Sequence, residues 1–498
     1  MALSVPRFGH PAVAWVALSP LLAGLLARRT SRSVTVGRGP VRPFLMGLAT
    51  GVTAFVGTIY WTGSVMRQYG DMPAWVATLL MVALAAYLAI YPALFAVIVD
   101  RLLGRVGVRG LCLAPAVWAT TELGRSYLFT GFPWELLGDS QATVLPVAQL
   151  ASLFGVYGIS ALVALVGTAL VLLVFDKTTV RWWTAGTAAV ALVATVAWGA
   201  ARMADNALTR EGTPIRVGLV QGNIAQDEKW VGAQAPQILR TYVELSRQAA
   251  GLGARFLVWP ESALPVVFEE DTVAGDTVRR LAFDTRTYIL FGSDQVERGP
   301  TPRYYNSAFL MDPDGTIAAV YQKMHLVPFG EYVPMRRLLF FAAPLVQAVS
   351  DFSEGDHVVM LPVAGHLAST AICYEVVYPD LARAATRAGS QLLTTITNDA
   401  WFGRSSAPWQ HFEMASLRAV EQGRYLVRSA NTGISGIVDP YGRVLARSRL
   451  FEAAVLVGDV RFLSGSTFYA RTGDAFVYAC ALVTLLALVA TGRRKMRY

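Results

Sequence analysis

Seven charge-poor apolar runs punctuate the chain at 11–27, 44–62, 74–99, 110–126, 145–175, 183–200 and 475–492. A bilayer hydrocarbon core about 30 Å thick takes roughly 20 apolar residues in a helix, so each run predicts a membrane span. The fourth is the shortest and carries Glu122 and Arg125 near its end. The fifth exceeds what one crossing needs, and Gly155 and Gly158 within it allow close helix approach. Between 203 and 474 the pattern changes to short β-rich runs set off by turns. Strands are predicted at 215–221, 255–259, 288–293, 308–311, 367–373, 391–397 and 434–438, and helices at 234–250, 275–284 and 409–422. Asp312-Pro313-Asp314-Gly315 and Asp439-Pro440-Tyr441-Gly442 read as turns, proline presetting one dihedral and glycine supplying another. The expected organisation is a helical membrane region over 1–202, a layered α/β domain over 203–474 with a core large enough to stand alone, and a last span with a basic tail over 475–498.

Composition agrees: 54% hydrophobic against 15% charged residues is too apolar for a soluble globular chain of 498 residues. The formal charge of +9 suggests a nucleic-acid binder until the charges are located. Outside 203–474 there are 18 Lys/Arg against 6 Asp/Glu, a net of +12, and inside it 25 against 28, a net of −3. The basic excess thus belongs to the apolar part, where it reports topology, and no nucleic-acid partner is expected. Arg28, Arg29, Arg32, Arg38 and Arg42 follow the first run, Arg101, Arg105 and Arg109 the third, Lys177 and Arg181 the fifth, and Arg493, Arg494, Lys495 and Arg497 the last. Alternate loops hold only Arg67 and Arg125. Short basic loops stay in the cytoplasm, which predicts a cytoplasmic C-terminus and an extracytoplasmic 203–474 domain. A cleaved signal peptide is the other reading of the first run, but Arg28-Arg29 directly after Ala27 is a stop-transfer pattern.

Several chemistries lack their usual signal. Cys112 and Cys480 lie in apolar runs and Cys373 is the single thiol of 203–474, so no disulfide forms within that domain. His10, His325, His357, His366 and His411 show no metal-ligand spacing, and there is neither a GxSxG elbow nor a Gly-Lys dipeptide. Three strand ends do carry chemistry. Phe256-Leu257-Val258-Trp259-Pro260-Glu261 is an apolar strand stopped by proline, which presents a carboxylate at the sheet edge; a lone glutamate there is ordinarily just solvated. Lys323 and Glu331 sit among apolar and turn residues, where a lysine needs a carboxylate to remain charged, unless it simply snorkels from a surface loop. Leu367 to Glu375 is a small, apolar strand ending in the thiol of Cys373; such a cysteine is most often a small hydrophobe, and becomes a nucleophile only with a base and an oxyanion partner in reach.

Together the three ends supply carboxylate, ammonium and thiol in the order Glu, Lys, Cys, the residue set of the nitrilase superfamily, which the chain resembles. The surrounding words match more narrowly: Leu219-Val220-Gln221-Gly222-Asn223, Trp259-Pro260-Glu261-Ser262-Ala263, the segment 323–334, Ile372-Cys373-Tyr374-Glu375, Thr397-Asn398-Asp399-Ala400-Trp401-Phe402-Gly403 and Asn431-Thr432-Gly433. Coupled to about seven spans, they make the chain similar to the apolipoprotein N-acyltransferase family nearly end to end. Thr130-Gly131-Phe132-Pro133-Trp134 and Tyr469-Ala470-Arg471-Thr472-Gly473, which a soluble nitrilase would not require, extend the likeness. That family begins with two short spans before its first basic loop, whereas this chain has room for one before Arg28.

The resemblance implies a membrane α-helical bundle carrying an extracytoplasmic α/β nitrilase-like αββα sandwich, in a multi-pass protein of the bacterial plasma (inner) membrane with its catalytic domain on the periplasmic side. It implies an acyltransferase with Cys373 as nucleophile, Glu261 as general base and acid, and Lys323 steadying the oxyanion with a backbone donor after the cysteine. Glu331 would hold Lys323, while Glu375 and Tyr374 support the site. Asn306 resembles a family position near the site, and Trp230 and Trp401, with Tyr374, would cover the acyl chain unless they are ordinary core packing. Phe340, Phe341, Pro344 and Leu345 form an apolar loop that would dip toward lipid. The implied partners are a phospholipid donor such as phosphatidylethanolamine, a diacylglyceryl-apolipoprotein acceptor and the bilayer, with no cofactor or metal and a single chain sufficing. A membrane-tethered nitrilase-type amidase acting on a small amide is the alternative, distinguished by a water-accessible pocket in place of an opening toward lipid. A non-enzymatic transporter is disfavoured, because the three chemical residues are intact and no path of charges crosses the spans.

Overall fold

The computed structural model describes residues 1–30, 39–332 and 352–493. They form two compact units, one made of Met1–Arg67, Met72–Asp205 and Thr467–Tyr498, the other of Gln68–Asp71 and Asn206–Ser466.

The first unit is helical: α1 (Ser19–Thr30), α2 (Val41–Ile59), α3 (Ala74–Leu88), α4 (Ile90–Val106), α5 (Ala114–Tyr127), α6 (Ala151–Phe175), α7 (Val180–Asp205) and a last helix, Ala475–Arg493. Among the described residues five stretches are long and apolar enough to cross a membrane: Pro11–Arg29, Val41–Ile59, Ala74–Thr130, Ala151–Phe175 and Val180–Thr209, with Ala475–Thr491 a shorter apolar helix. The separate runs expected at 74–99 and 110–126 therefore lie in one 57-residue stretch. It is interrupted between α3 and α4, where Pro92 has no N–H to give the Leu88 carbonyl, and again by the 3₁₀ segment Gly107–Leu113. The over-long run 145–175 divides too. A short helix Leu145–Ala148 precedes α6, and Gly155 breaks the helix with φ 65°. A Cβ on Gly155 would lie 2.6 Å from the ring of Tyr469, so this close approach demands glycine. At one end of this unit Arg28 and Arg29 of α1 both bond the carboxylate of Asp100 on α4, which is 3% exposed.

Among the described residues the second unit holds thirteen strands in two sheets. They are β1 (Thr213–Gln221), β2 (Phe256–Val258), β3 (Leu264–Val267), β4 (Tyr288–Glu297), β5 (Arg303–Met311), β6 (Ile317–Gln322), β7 (Leu361–Val363), β8 (His366–Ile372), β9 (Leu392–Thr397), β10 (Leu426–Ala430), β11 (Gly436–Val438), β12 (Val444–Arg447) and β13 (Ala454–Phe462). One sheet runs β13-β1-β2-β4-β5-β6 with β3 on β4, and the other β12-β11-β10-β9-β8-β7. The centres are parallel (β1/β2/β4 and β8/β9/β10) and the margins antiparallel.

Side-chain alternation along each central strand sorts the core into two layers. Val217, Leu219, Phe256, Val258, Leu290, Ala308 and Leu310 face the other sheet, meeting Leu361, Ile372, Leu392, Ile396 and Val427. Their neighbours Val220, Leu257, Trp259, Ile289, Phe291 and Phe309 turn the opposite way, against Ile238, Tyr242 and Val243 of α8 (Ala235–Gly251) and Val278 and Leu281 of α9 (Thr272–Thr285). Helices α10 (Pro379–Arg387) and α11 (Ala407–Gln422) pack on the second sheet. The result is an α/β domain with helix, sheet, sheet and helix in layers.

Candidate active site

Parallel sheets end together, and here the strand ends converge on one cluster of polar side chains. Glu261 follows β2 after Trp259 and Pro260, Lys323 is the first residue past β6, Cys373 the first past β8, and Asn398 the first past β9. Glu261, Lys323, Glu331 and Cys373 are each less than a tenth exposed.

The ammonium of Lys323 lies 2.8 Å from Glu331 Oε1 and 3.6 Å from Glu261 Oε1. Asn306, in β5, uses one amide nitrogen to bridge the same two carboxylates, donating to Glu261 Oε1 at 2.8 Å and to Glu331 Oε1 at 3.0 Å. The other Glu261 oxygen accepts the backbone N–H of Asn398 at 2.8 Å. Glu331 Oε2 accepts the N–H of Val327 at 2.7 Å, which closes the loop that follows Lys323. Burial alone would lower the Lys323 pKa, but Glu331 and Glu261 outweigh it and hold the ammonium above its usual value. Lys323 is therefore a fixed cation.

Cys373 has φ 52°, in the left-handed region that a non-glycine residue enters at a cost of roughly 1–3 kcal/mol. Burial and the Glu261 carboxylate push its thiol well above the ordinary range, against the opposing pull of Lys323. The resting group is the thiol, with a carboxylate and an ammonium both near enough to act on it electrostatically. Glu375 is fully buried, and its carboxylate accepts from Tyr321 Oη (2.8 Å), Met324 N (2.7 Å), His325 N (3.1 Å) and Ile372 N (2.6 Å). It pins the turn after Lys323 to the strand end before Cys373. Tyr374 is buried with its ring edge-on to Tyr378 at 5.2 Å, and His325 lies 3.9 Å from Tyr378. Burial and Lys323 bring His325 down to about 4, so it is neutral at physiological pH.

The remaining expected residues divide. Asn306 joins the cluster, whereas Trp230 is 50% exposed and Trp401 is half-buried in the 3₁₀ turn Asp399–Phe402 that follows Asn398. The apolar loop Phe340, Phe341, Pro344 and Leu345 lies outside the described residues.

One participant escapes sequence reasoning. Lys229, beside Trp230, is 1% exposed and donates to the backbone carbonyl of Glu261 at 3.1 Å. Burial pulls its pKa down to about 8, partly offset by Glu261, Asp294 and Cys373. Asp294 is pushed up to about 6 by burial, against the pull of Lys229. In the sequence Gln226-Asp227-Glu228-Lys229 reads as a solvated charge cluster, and no local pattern marks its last member as buried.

The arrangement can take a proton from a thiol, shelter it on Glu261, and stabilise negative charge on an oxygen of the carbon that sulfur attacks. Residues 216–465 match the carbon-nitrogen hydrolase family and residues 1–169 the apolipoprotein N-acyltransferase N-terminal domain. Among solved structures an amidase of the nitrilase superfamily from Nesterenkonia AN1 aligns at 22% identity over 54% of this chain and 97% of its own, with a TM-score of 0.42. Apolipoprotein N-acyltransferases align over far more: that of Geobacter metallireducens is 40% identical over 99% of this chain and 94% of its own length, and that of Methylococcus capsulatus 35% over 94% and 89%. With both its helical and its α/β part matched, the chain belongs to the apolipoprotein N-acyltransferase family.

Proposed function

We propose that this chain moves a fatty acyl group from a membrane phospholipid to the free α-amine of the diacylglyceryl-cysteine that begins an apolipoprotein, through a thioester on Cys373. The family membership supports the substrates. The observation that carries the chemistry is the buried Glu261–Lys323–Glu331 ion cluster and its electrostatic reach to the Cys373 thiol.

In the first half-reaction the thiol gives its proton to Glu261 as Sγ attacks the ester carbonyl. Lys323 and the peptide N–H after Cys373 face the oxyanion, and collapse expels the lysophospholipid alcohol, which takes the proton from Glu261. In the second, the neutral amine attacks the thioester carbonyl. It gives a proton to Glu261, and as the amide forms Sγ leaves and regains that proton. Between the halves the thioester must be kept from water, and the 8% exposure of Cys373 supports such shelter.

We place the α/β domain outside the cytoplasm and the basic tail inside, with phosphatidylethanolamine as donor and one chain as the working unit. Support for the orientation comes from the basic loops and from Asp100, which sits just before the second of them and holds Arg28 and Arg29 of the first at one end of the helical unit. Full-length Cys373→Ala, purified in detergent and given phosphatidylethanolamine and a diacylglyceryl peptide, is expected to fold and to transfer no acyl chain. N-acylation by that variant at the wild-type rate contradicts the proposal.

A further inference from the structure

Behind Cys373, on three separate elements, lies a buried network that the chemistry above does not use. His411 of α11, Asp399 after β9 and Arg428 in the middle of β10 are each at most 1% exposed. Arg428 Nη2 lies 2.8 Å from Asp399 Oδ2, and the Oγ1 of Thr397 donates to Asp399 Oδ1 at 2.8 Å. The imidazole Nδ1 is 3.0 Å from both Asp399 Oδ1 and Arg428 Nη2. Burial and Arg428 lower the pKa of His411 against the pull of Asp399. The other ring nitrogen, Nε2, lies 3.1 Å from the backbone carbonyl oxygen of Cys373. A carbonyl oxygen only accepts, so Nε2 carries a hydrogen in either protonation state of the ring.

That carbonyl belongs to the Cys373–Tyr374 peptide, the same planar unit whose N–H is the backbone donor to the oxyanion. In a trans peptide the C=O and N–H point in opposite directions within one rigid plane. A bond that fixes the oxygen therefore fixes the direction of the N–H, and polarising the carbonyl strengthens the N–H as a donor. The unit needs such a hold, because Cys373 sits in the left-handed region, φ 52°. Network packing leaves little slack: a Cβ on Gly433 would lie 2.2 Å from Asp399 Oδ2.

We infer that His411, held by Asp399 and Arg428, is a positioning residue for the oxyanion hole, acting through the Cys373 carbonyl rather than on substrate or sulfur. The inference rests on Cys373 being the acyl carrier. It separates two reactions of one thiol. Attack on an ester builds an oxyanion and needs the aligned N–H, whereas alkylation by iodoacetamide displaces iodide at a saturated carbon and builds none.

The test uses the full-length enzyme in detergent micelles and measures, for each variant, the single-turnover rate of thioester formation from phosphatidylethanolamine and the rate of Cys373 alkylation by iodoacetamide. Outright loss of an oxyanion donor costs about 10²–10³ in rate, so a misaligned one should cost less. His411→Leu is expected to slow thioester formation about ten- to a hundredfold at saturating phospholipid, with the half-saturating concentration unchanged, and to leave alkylation within about twofold. His411→Gln, whose amide N–H can reach the same oxygen, should recover most of the loss. If the leucine variant does not fold, Asp399→Asn takes its place, with a smaller loss of acylation expected and alkylation no slower than wild type, since the Asp399 charge itself helps to raise the Cys373 thiol. Wild-type acylation in the leucine variant or in the Asp399→Asn variant that replaces it, or both rates falling together there, overturns the inference. Acyl transfer by Cys373→Ala would instead overturn the thioester itself, so the two failures are distinguishable.

Discussion

Glu331 spends both carboxylate oxygens on the site, Oε1 on Lys323 and Asn306 and Oε2 on Val327 N. Glu331→Gln keeps the shape and removes the charge that helps hold Lys323 protonated and in place. Acyl transfer should fall about ten- to a hundredfold, with little change in the unfolding temperature, and an unchanged rate in a steady-state assay would contradict that role. The thiol makes a pH prediction. Because the Cys373 pKa is raised, its thiolate appears at higher pH than for an ordinary cysteine near ~8.5. Alkylation by iodoacetamide should therefore keep rising with pH beyond that point, and Lys323→Met, which removes the downward pull, should move the curve higher still. A plateau below ~8.5 in wild type would contradict the raised value. Glu261, Lys323 and Cys373 are legible in sequence because each ends an apolar run, where a polar group stands out. Lys229 is not, since its burial depends on strand ends distant in sequence.

Strand spacing explains much of what positions those side chains. Gly292 of β4 runs directly under the turn that carries Glu261: an added Cβ would lie 2.5 Å from Ser262 N and 2.7 Å from Glu261 Cα, both backbone. Gly292→Ala is therefore expected to destabilise the protein by about 1–3 kcal/mol and to lower activity by displacing the base. Thermal unfolding and transfer assays on the one variant check both, and wild-type values in each would contradict the close packing. Reading for short β-rich apolar runs finds β1, β2, β4, β8 and β9 because buried parallel strands are near-continuous apolar runs. It misses β10, whose central Arg428 looks like solvent-facing polarity, because the Asp399 carboxylate that neutralises it lies 29 positions away. The same blindness hides His411. Its sequence neighbours show only an ordinary amphipathic helix, and the carbonyl it bonds is 38 positions upstream.

At the scale of the molecule, composition separates a membrane part from an α/β part, and charge asymmetry supplies the orientation we propose. Hydropathy cannot see a proline or glycine break inside an apolar run, so the expected span pattern and the helices differ around Ala89 and Gly155. A membrane-impermeant maleimide tests the orientation: cysteine at exposed Asp276 should label in intact spheroplasts above the wild-type background, and cysteine at exposed Gly39 only after permeabilisation. The reverse pattern would put the catalytic domain in the cytosol. The most direct measurement of the central claim is the intact mass of the purified protein after incubation with phosphatidylethanolamine and no acceptor. The account predicts one added acyl mass, mapped to Cys373 and discharged by a diacylglyceryl peptide amine. An unmodified protein that still transfers acyl chains, or an adduct on any other residue, would contradict it.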